Sequence, residues 1–161
     1  MPLAKVARIH DAKRSTIAPV FVDSNVLVYA RDSAQRDKQR QAEAWMAELW
    51  RSRRGRLSTQ VLTEFYVNAT QKLRPGLDRE TARTDVRALL AWQPLDLDSR
   101  VFEDAWRIQD RDKIGFWDAL IVGAAHVGGC GYVLTEDLQD GQEIAGVRVV
   151  NPFRSLPNSL S

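Results

Sequence analysis

The sequence predicts an α/β domain built on a largely parallel sheet. Short β-branched runs, Val20-Phe21-Val22, Tyr132-Val133-Leu134 and Val147 to Val150, alternate with longer stretches that carry helical spacing. The first two runs lead into acidic residues, Asp23 and Thr135-Glu136-Asp137, at the strand end where parallel sheets bind ligands. At 161 residues, 44% hydrophobic and 27% charged, the chain has the size and composition of one folded domain.

Residues 1–17 are basic and weakly periodic, so they read as an N-terminal extension to a domain spanning 18–161. Val20-Phe21-Val22 reads as a buried strand that stops at Asp23. Val26 to Ala30 suits a short helix, and Ser33 to Trp50 a longer one with Ala42, Trp45, Met46 and Leu49 on one face. Gly55 permits a turn, and Arg56-Leu57-Ser58 fits a short strand. Thr59 to Gln71 places Val61, Leu62, Phe65, Tyr66 and Ala69 on one stripe, with Ser58 or Thr59 as cap. Pro75-Gly76 interrupts the chain before a helix over Asp78 to Leu90. Pro94 restricts any strand in Trp92 to Leu97 to an edge. Ser99 to Gln109 and Phe116 to His126 complete the helices, the second ended by Gly128-Gly129.

The composition excludes several classes. A lone Cys130 allows neither an internal disulfide nor a thiolate zinc site. The basic start lacks the apolar stretch of a secretory signal, and the longest uncharged run, Ala119 to Thr135, is too short and glycine-broken for a membrane span. The expectation is a cytoplasmic protein with no membrane association. The net charge of +2 conceals an imbalance, with 14 Lys and Arg against 7 Asp and Glu over residues 1–75.

Four acids stand out by position: Asp23, Glu64, Asp118 and Asp137. Two follow strands and two lie near helix starts, so a parallel sheet can gather them at one edge. Each also has a structural reading. Asp23 or Ser24 can cap a helix, Asp118 can complement a helix dipole, Glu64 can be solvated, and Asp137 can form an Asx turn. Clustered carboxylates raise one another's pKa, and a hard cation relieves the repulsion. Oxygen ligands suit Mg²⁺ or Mn²⁺, and a metal held by carboxylates suits phosphoryl chemistry.

The acids with their flanking residues resemble the PIN domain, specifically VapC-type toxin ribonucleases. The matching stretches are Val20-Phe21-Val22-Asp23-Ser24-Asn25, Ser58 to Val67 around Glu64, Phe116-Trp117-Asp118-Ala119, and Leu134-Thr135-Glu136-Asp137. The closing Val147 to Phe153 adds to them. The resemblance implies a three-layer α/β/α sandwich with a mainly parallel central sheet. It implies an endoribonuclease using Mg²⁺ or Mn²⁺, with Asp23 and Asp118 as central ligands and Glu64 and Asp137 completing the set. Asn25 and Thr135 are expected to hydrogen-bond the acids. The implied reaction is attack by a metal-activated water in line with the 3′ oxygen, leaving a 5′-phosphate. An RNA substrate, a cognate antitoxin that neutralises the toxin, and pairing into a homodimer follow from the same resemblance.

One position departs from the pattern. Many such proteins carry an acid two residues after the one matching Asp137, where this chain has Gln139. Asp140 stands one residue further on.

For the RNA, Arg51, Arg53, Arg54 and Arg56 are candidates for a basic rim, with Arg31, Arg36, Lys38, Arg40, Lys72 and Arg74 as further cations. The plain alternative is a solvated surface. Trp45, Trp106 and Trp117 fall on apolar stripes and are expected in the core or against a partner. His10 and His126 have no site context. The apolar surface of Ser33 to Trp50, with Trp50, is the expected antitoxin contact. Two rival functions are a non-catalytic PIN-fold binding module and a haloacid-dehalogenase-like phosphatase. The latter needs an acid where Asn25 stands and a lysine downstream, whereas the last lysine, Lys113, precedes Asp118.

Overall fold

The structure is a computed structural model and describes residues 17–160. The expectations for the basic extension and for His10 therefore lie outside the described residues. Five strands form the sheet: β1 (Val20–Val22), β2 (Gly55–Arg56), β3 (Tyr132–Leu134), β4 (Glu143–Ile144) and β5 (Val147–Val150). Six α-helices flank it: α1 (Ser24–Tyr29), α2 (Arg36–Ser52), α3 (Thr59–Val67), α4 (Arg79–Leu89), α5 (Ser99–Asp112) and α6 (Phe116–Val127).

The sheet order is β2-β1-β3-β5-β4, parallel throughout except for the antiparallel β4–β5 pair. From β1 the chain goes first to one side, to β2, and later to the other, to β3. The order therefore reverses between β1 and β3, which opens a crevice beyond their carboxyl ends. Asp23 and Thr135 are the residues that follow those two strands.

Val20, Phe21 and Val22 are at most 1% exposed, as a central strand covered on both faces must be. Helix α6 is apolar around most of its circumference, with Ala119 through Ala125 buried. It packs on α5 so closely that a Cβ on Gly123 would lie 3.2 Å from the Ala105 nitrogen and the Val101 oxygen. Trp45 fills the core from α2, and its indole donates to the carbonyls of Pro152 (3.0 Å) and Ser155 (3.1 Å). That pair of bonds ties the segment after β5 to α2.

The elements differ from expectation at a few places. The second strand is Gly55–Arg56, and Ser58 instead forms an isolated parallel bridge with Leu95. Trp92 to Leu97 contributes only that bridge, because Pro94 lacks a donor and Gln93 adopts a left-handed conformation at φ 53°. Helix α3 ends at Val67 and passes into a π-helical turn, Asn68–Lys72, where the Thr70 hydroxyl donates back to the Tyr66 carbonyl at 2.7 Å. Strand β4 was not anticipated. It pairs with β5 through Ala145-Gly146, both at positive φ (52° and 76°), the geometry of a two-residue hairpin turn.

Candidate metal centre

Asp23 sits where β1 turns into α1. Its backbone nitrogen still donates to Leu134 O on β3 at 3.0 Å, while its side chain accepts from the Ser24 nitrogen at 2.7 Å and caps α1. The capping reading is thus met by this carboxylate, and it leaves Asp23 Oδ2 facing Thr135 and Asn25. It is 5% exposed.

Thr135, fully buried after β3, organises the cluster. Its hydroxyl donates to Asp23 Oδ2 (2.8 Å) and accepts from the Asp137 nitrogen (3.1 Å) and from Asn25 Nδ2 (3.0 Å). One donor and two lone pairs are the whole capacity of a hydroxyl, and all are used. Asn25 Nδ2 also reaches Asp137 Oδ2 at 3.0 Å and approaches Asp23 Oδ2 at 3.4 Å. Asn25 and Thr135 therefore occupy the positions anticipated for them, bonded to the acids.

Glu64 arrives from α3. Its Oε2 accepts from Ser24 Oγ (2.7 Å) and its Oε1 from Gln60 Nε2 (2.9 Å). Asp118 stands in the first turn of α6, partly buried. The four carboxylates share one electrostatic site. Burial pushes the Asp23 carboxyl up to about 6 against the pull of the Thr135 and Ser24 hydrogen bonds, and the charges on Asp137 and Glu64 push the same way. Asp118 is likewise raised, first by burial and then by Asp137 and Glu64. None of the four forms an ion pair with a Lys, Arg or His among the described residues.

The donor set is oxygen only, which suits a hard cation. Asn25 Oδ1 is buried beside the acids with no hydrogen-bond partner, an acceptor that a hydrated ion satisfies. As they stand, no three His, Cys, Asp or Glu side chains among the described residues already form an ion cage. Asp23, Glu64 and Asp137 are held instead by Ser24, Gln60, Asn25 and Thr135, in a hydrogen-bonded arrangement that fits ionised groups awaiting a counter-charge.

Other anticipated residues lie elsewhere. Arg51, Arg53, Arg54 and Arg56 do not rim the acids. Arg54 O accepts from Val20 N, so these arginines cluster around the start of β2, at the amino edge of the sheet, opposite Asp23. Arg51 pairs with Glu48 (2.6 Å), Arg54 bonds the carbonyls of Ala18 and Leu160, and Arg56 bonds those of Arg53 and Gly55. The parallel register makes this placement unavoidable, because residues preceding one strand cannot join residues following its neighbour. Arg31, Lys38 and Arg40 are paired with Asp85, Glu136 and Asp37. Asp140 accepts from the Asn151 nitrogen at 2.8 Å and anchors that turn, so it does not replace the acid missing at Gln139.

Trp45 is core, while Trp106 and Trp117 are 49% and 68% exposed, so of the two expectations, core or partner, these two are not core. His126 bonds buried Asp104, a structural contact between α6 and α5. Ser24 and Gln60 were not singled out from the sequence. Gln60 lies four residues before Glu64 on the same helix, and that spacing was the available signal.

The site is thus a set of carboxylates gathered at the topological switch point of a mostly parallel α/β domain. The chain belongs to the PIN domain family, which matches residues 20–143. Similar solved structures include a toxin-antitoxin complex from Klebsiella pneumoniae, with TM-score 0.54 and 20% identity, covering 83% of this chain and 97% of that one. Another is VapBC2 from Rickettsia felis bound to a DNA fragment from their promoter, with TM-score 0.52 and 14% identity, covering 81% and 96%. At these identities the likeness is one of fold. A comparison with curated proteins finds no match.

Proposed function

We propose that this PIN domain is a metal-dependent endoribonuclease and the toxin of a toxin-antitoxin pair. The observation that carries the reading is the carboxylate cluster at the β1–β3 switch point, unpaired with any Lys, Arg or His among the described residues, with buried Asp23 raised to about 6. Asp23, Glu64, Asp118 and Asp137 would hold Mg²⁺ or Mn²⁺. When bound, such an ion supplies charge neutralisation and an ionised water at neutral pH. The chain's own residues do the positioning. Thr135 and Asn25 fix Asp23 and Asp137, Ser24 and Gln60 fix both oxygens of Glu64, and the exposed side of Asp137 and Asp118 leaves the cluster open to a phosphodiester.

The antitoxin proposal rests on the fold likeness to complexes and on a groove between α1, α2, α3 and α4. Leu27, Met46, Trp50, Phe65 and Leu89 line it, with Trp50 41% exposed, and an apolar helix from a partner fits such a surface. Met46 and Trp50 supply the part of this groove that comes from the Ser33 to Trp50 stretch.

The test is cleavage of single-stranded RNA by the protein freed of any partner. With Mg²⁺ or Mn²⁺ the parent is expected to release 5′-phosphate ends, and EDTA or Asp118→Asn to reduce the rate at least a hundredfold. Metal-independent cleavage, or an Asp118→Asn variant as active as the parent, refutes the reading. Absence of cleavage under every metal condition favours the non-catalytic binding module.

A further inference from the structure

A second feature opens beside the carboxylates. Thr59, Gln60, Thr63 and Glu64 from α3, Asp96 and Leu97 from the loop before α5, and Trp117 at the start of α6 enclose a cleft of about 680 Å³. Glu64 lines it and Trp117 precedes Asp118, so it borders the metal centre directly. The loop is fixed against α3, because Thr59 N donates to Leu95 O at 3.0 Å and Ser58 bridges Leu95.

The walls are chemically one-sided. Lys, Arg and His are absent from this lining, and Glu64 and Asp96 repel an anion, so a phosphate is a poor occupant. Trp117 presents a ring 68% exposed, backed by Phe116 at 6.0 Å, which in turn stacks on Phe102 at 6.5 Å. That makes a propped, flat, apolar platform. Around it the charged groups are acceptors, the carboxylates of Glu64 and Asp96. Gln60 is only 8% exposed and turns to Glu64, to which its Nε2 donates at 2.9 Å. Thr63 donates its hydroxyl proton to Thr59 O (2.8 Å), which leaves its oxygen lone pairs. Asp96 adds a carboxylate.

A flat platform with an acceptor rim takes a flat ligand whose edge donates. Among the RNA bases, guanine alone offers two adjacent N–H donors, N1–H and N2–H, which pair with one carboxylate in parallel. Adenine, cytosine and uracil each offer a single donor group on that edge. Unstacked bases of single strands are read in this way, by an aromatic face and by edge hydrogen bonds.

We infer that this cleft is a nucleobase subsite in which Trp117 stacks, and Asp96 selects guanine, beside the scissile phosphate. It rests on the ribonuclease reading for its place in a reaction, but the binding itself does not need cleavage. Trp117 and Asp96 are positioning and specificity residues for the substrate.

The experiment uses deoxyadenosine heptamers with and without one central dG, which a ribonuclease does not cut, titrated into the full chain by calorimetry. Guanine selection predicts at least fivefold tighter binding of the dG heptamer. Trp117→Ala is expected to weaken both heptamers about tenfold or more, within the range of one lost stacked base, and Trp117→Phe to recover most of it. Asp96→Asn is expected to erase the dG preference and keep the deoxyadenosine affinity. In parallel, RNA cleavage ends from the parent should show guanine enriched at one fixed position beside the cut, flattened in Trp117→Ala. Parent-like binding by Trp117→Ala overturns the subsite, as does a dG preference that survives Asp96→Asn. If Trp117→Ala alters only self-association or binding of a protein partner, the face is a protein contact and the inference fails. Retained dG preference without any RNA cleavage supports the subsite and overturns the ribonuclease reading alone.

Discussion

At Asp23 a strand end, a helix cap and a buried negative charge coincide in one side chain. The charge is the costly part. Its carboxyl titrates near 6 in the folded chain instead of 3.8, a difference worth roughly 3 kcal/mol at most. Because the folded value is raised, the metal-free protein binds this proton more tightly than the unfolded chain does. Its contribution is fully present below about pH 4 and disappears as pH rises through 6. Asp23→Asn is therefore expected to stabilise the metal-free protein by about 1–3 kcal/mol at pH 7.5, with the gap closing toward pH 4.5. Urea denaturation in EDTA at the two pH values checks this, and an equal effect at both would show that repulsion and burial are not the cause. Thr135 has the opposite character. Thr135→Val keeps the shape but removes the short bond to buried Asp23 Oδ2 and the acceptor of the Asp137 nitrogen, while Asn25 Nδ2 keeps Asp137 Oδ2, so a loss of about 1–3 kcal/mol is expected in the same assay.

At the scale of elements, long amphipathic patterns and buried strands were readable, and junctions were not. Val20 to Val22, Tyr132 to Leu134, Val147 to Val150 and the six helices were read from apolar runs and periodicity because burial on a defined face leaves a repeating mark. Strand β4 left none, since two residues are too few for alternation and its hairpin turn puts Ala145, not Asn or Gly, at positive φ. Asp23, Glu64, Asp118 and Asp137 were legible as positions, and the Thr135–Asn25 scaffold with them. The network through Ser24 and Gln60 was hidden because it depends on how α3 meets α1, a tertiary relation with no local pattern. The choice between core and partner for Trp117 was open for a related reason: an aromatic one step before a helix's buried face looks like part of that face. The α5–α6 contact gives a test at this scale. Gly123→Ala inserts a methyl against the Val101 and Ala105 backbone and is expected to cost about 1–3 kcal/mol, measured by thermal unfolding, while leaving divalent-ion binding unchanged.

Across the whole molecule, the charges separate by sheet edge. The carboxylates stand at the carboxyl edge, and Arg51, Arg53, Arg54 and Arg56 cluster around the start of β2. Both features vanish into a net charge of +2. Under the proposed ribonuclease reading, any grip these arginines have on RNA is consequently remote from the site of cleavage. Arg53→Ala with Arg56→Ala is expected to raise KM and flatten its salt dependence while leaving kcat unchanged, as removal of distant phosphate contacts does. Among the described residues no helix is long and apolar enough to cross a membrane. The central claim is that the four carboxylates are a cation site, and Mn²⁺ binding followed by calorimetry and water-proton relaxation tests it most directly. The account predicts saturable Mn²⁺ binding to the metal-free protein that strengthens as pH rises from 5 to 7.5 and weakens at least tenfold in Asp23→Asn and in Asp118→Asn. No saturable Mn²⁺ binding, or equal binding in all three proteins, contradicts it.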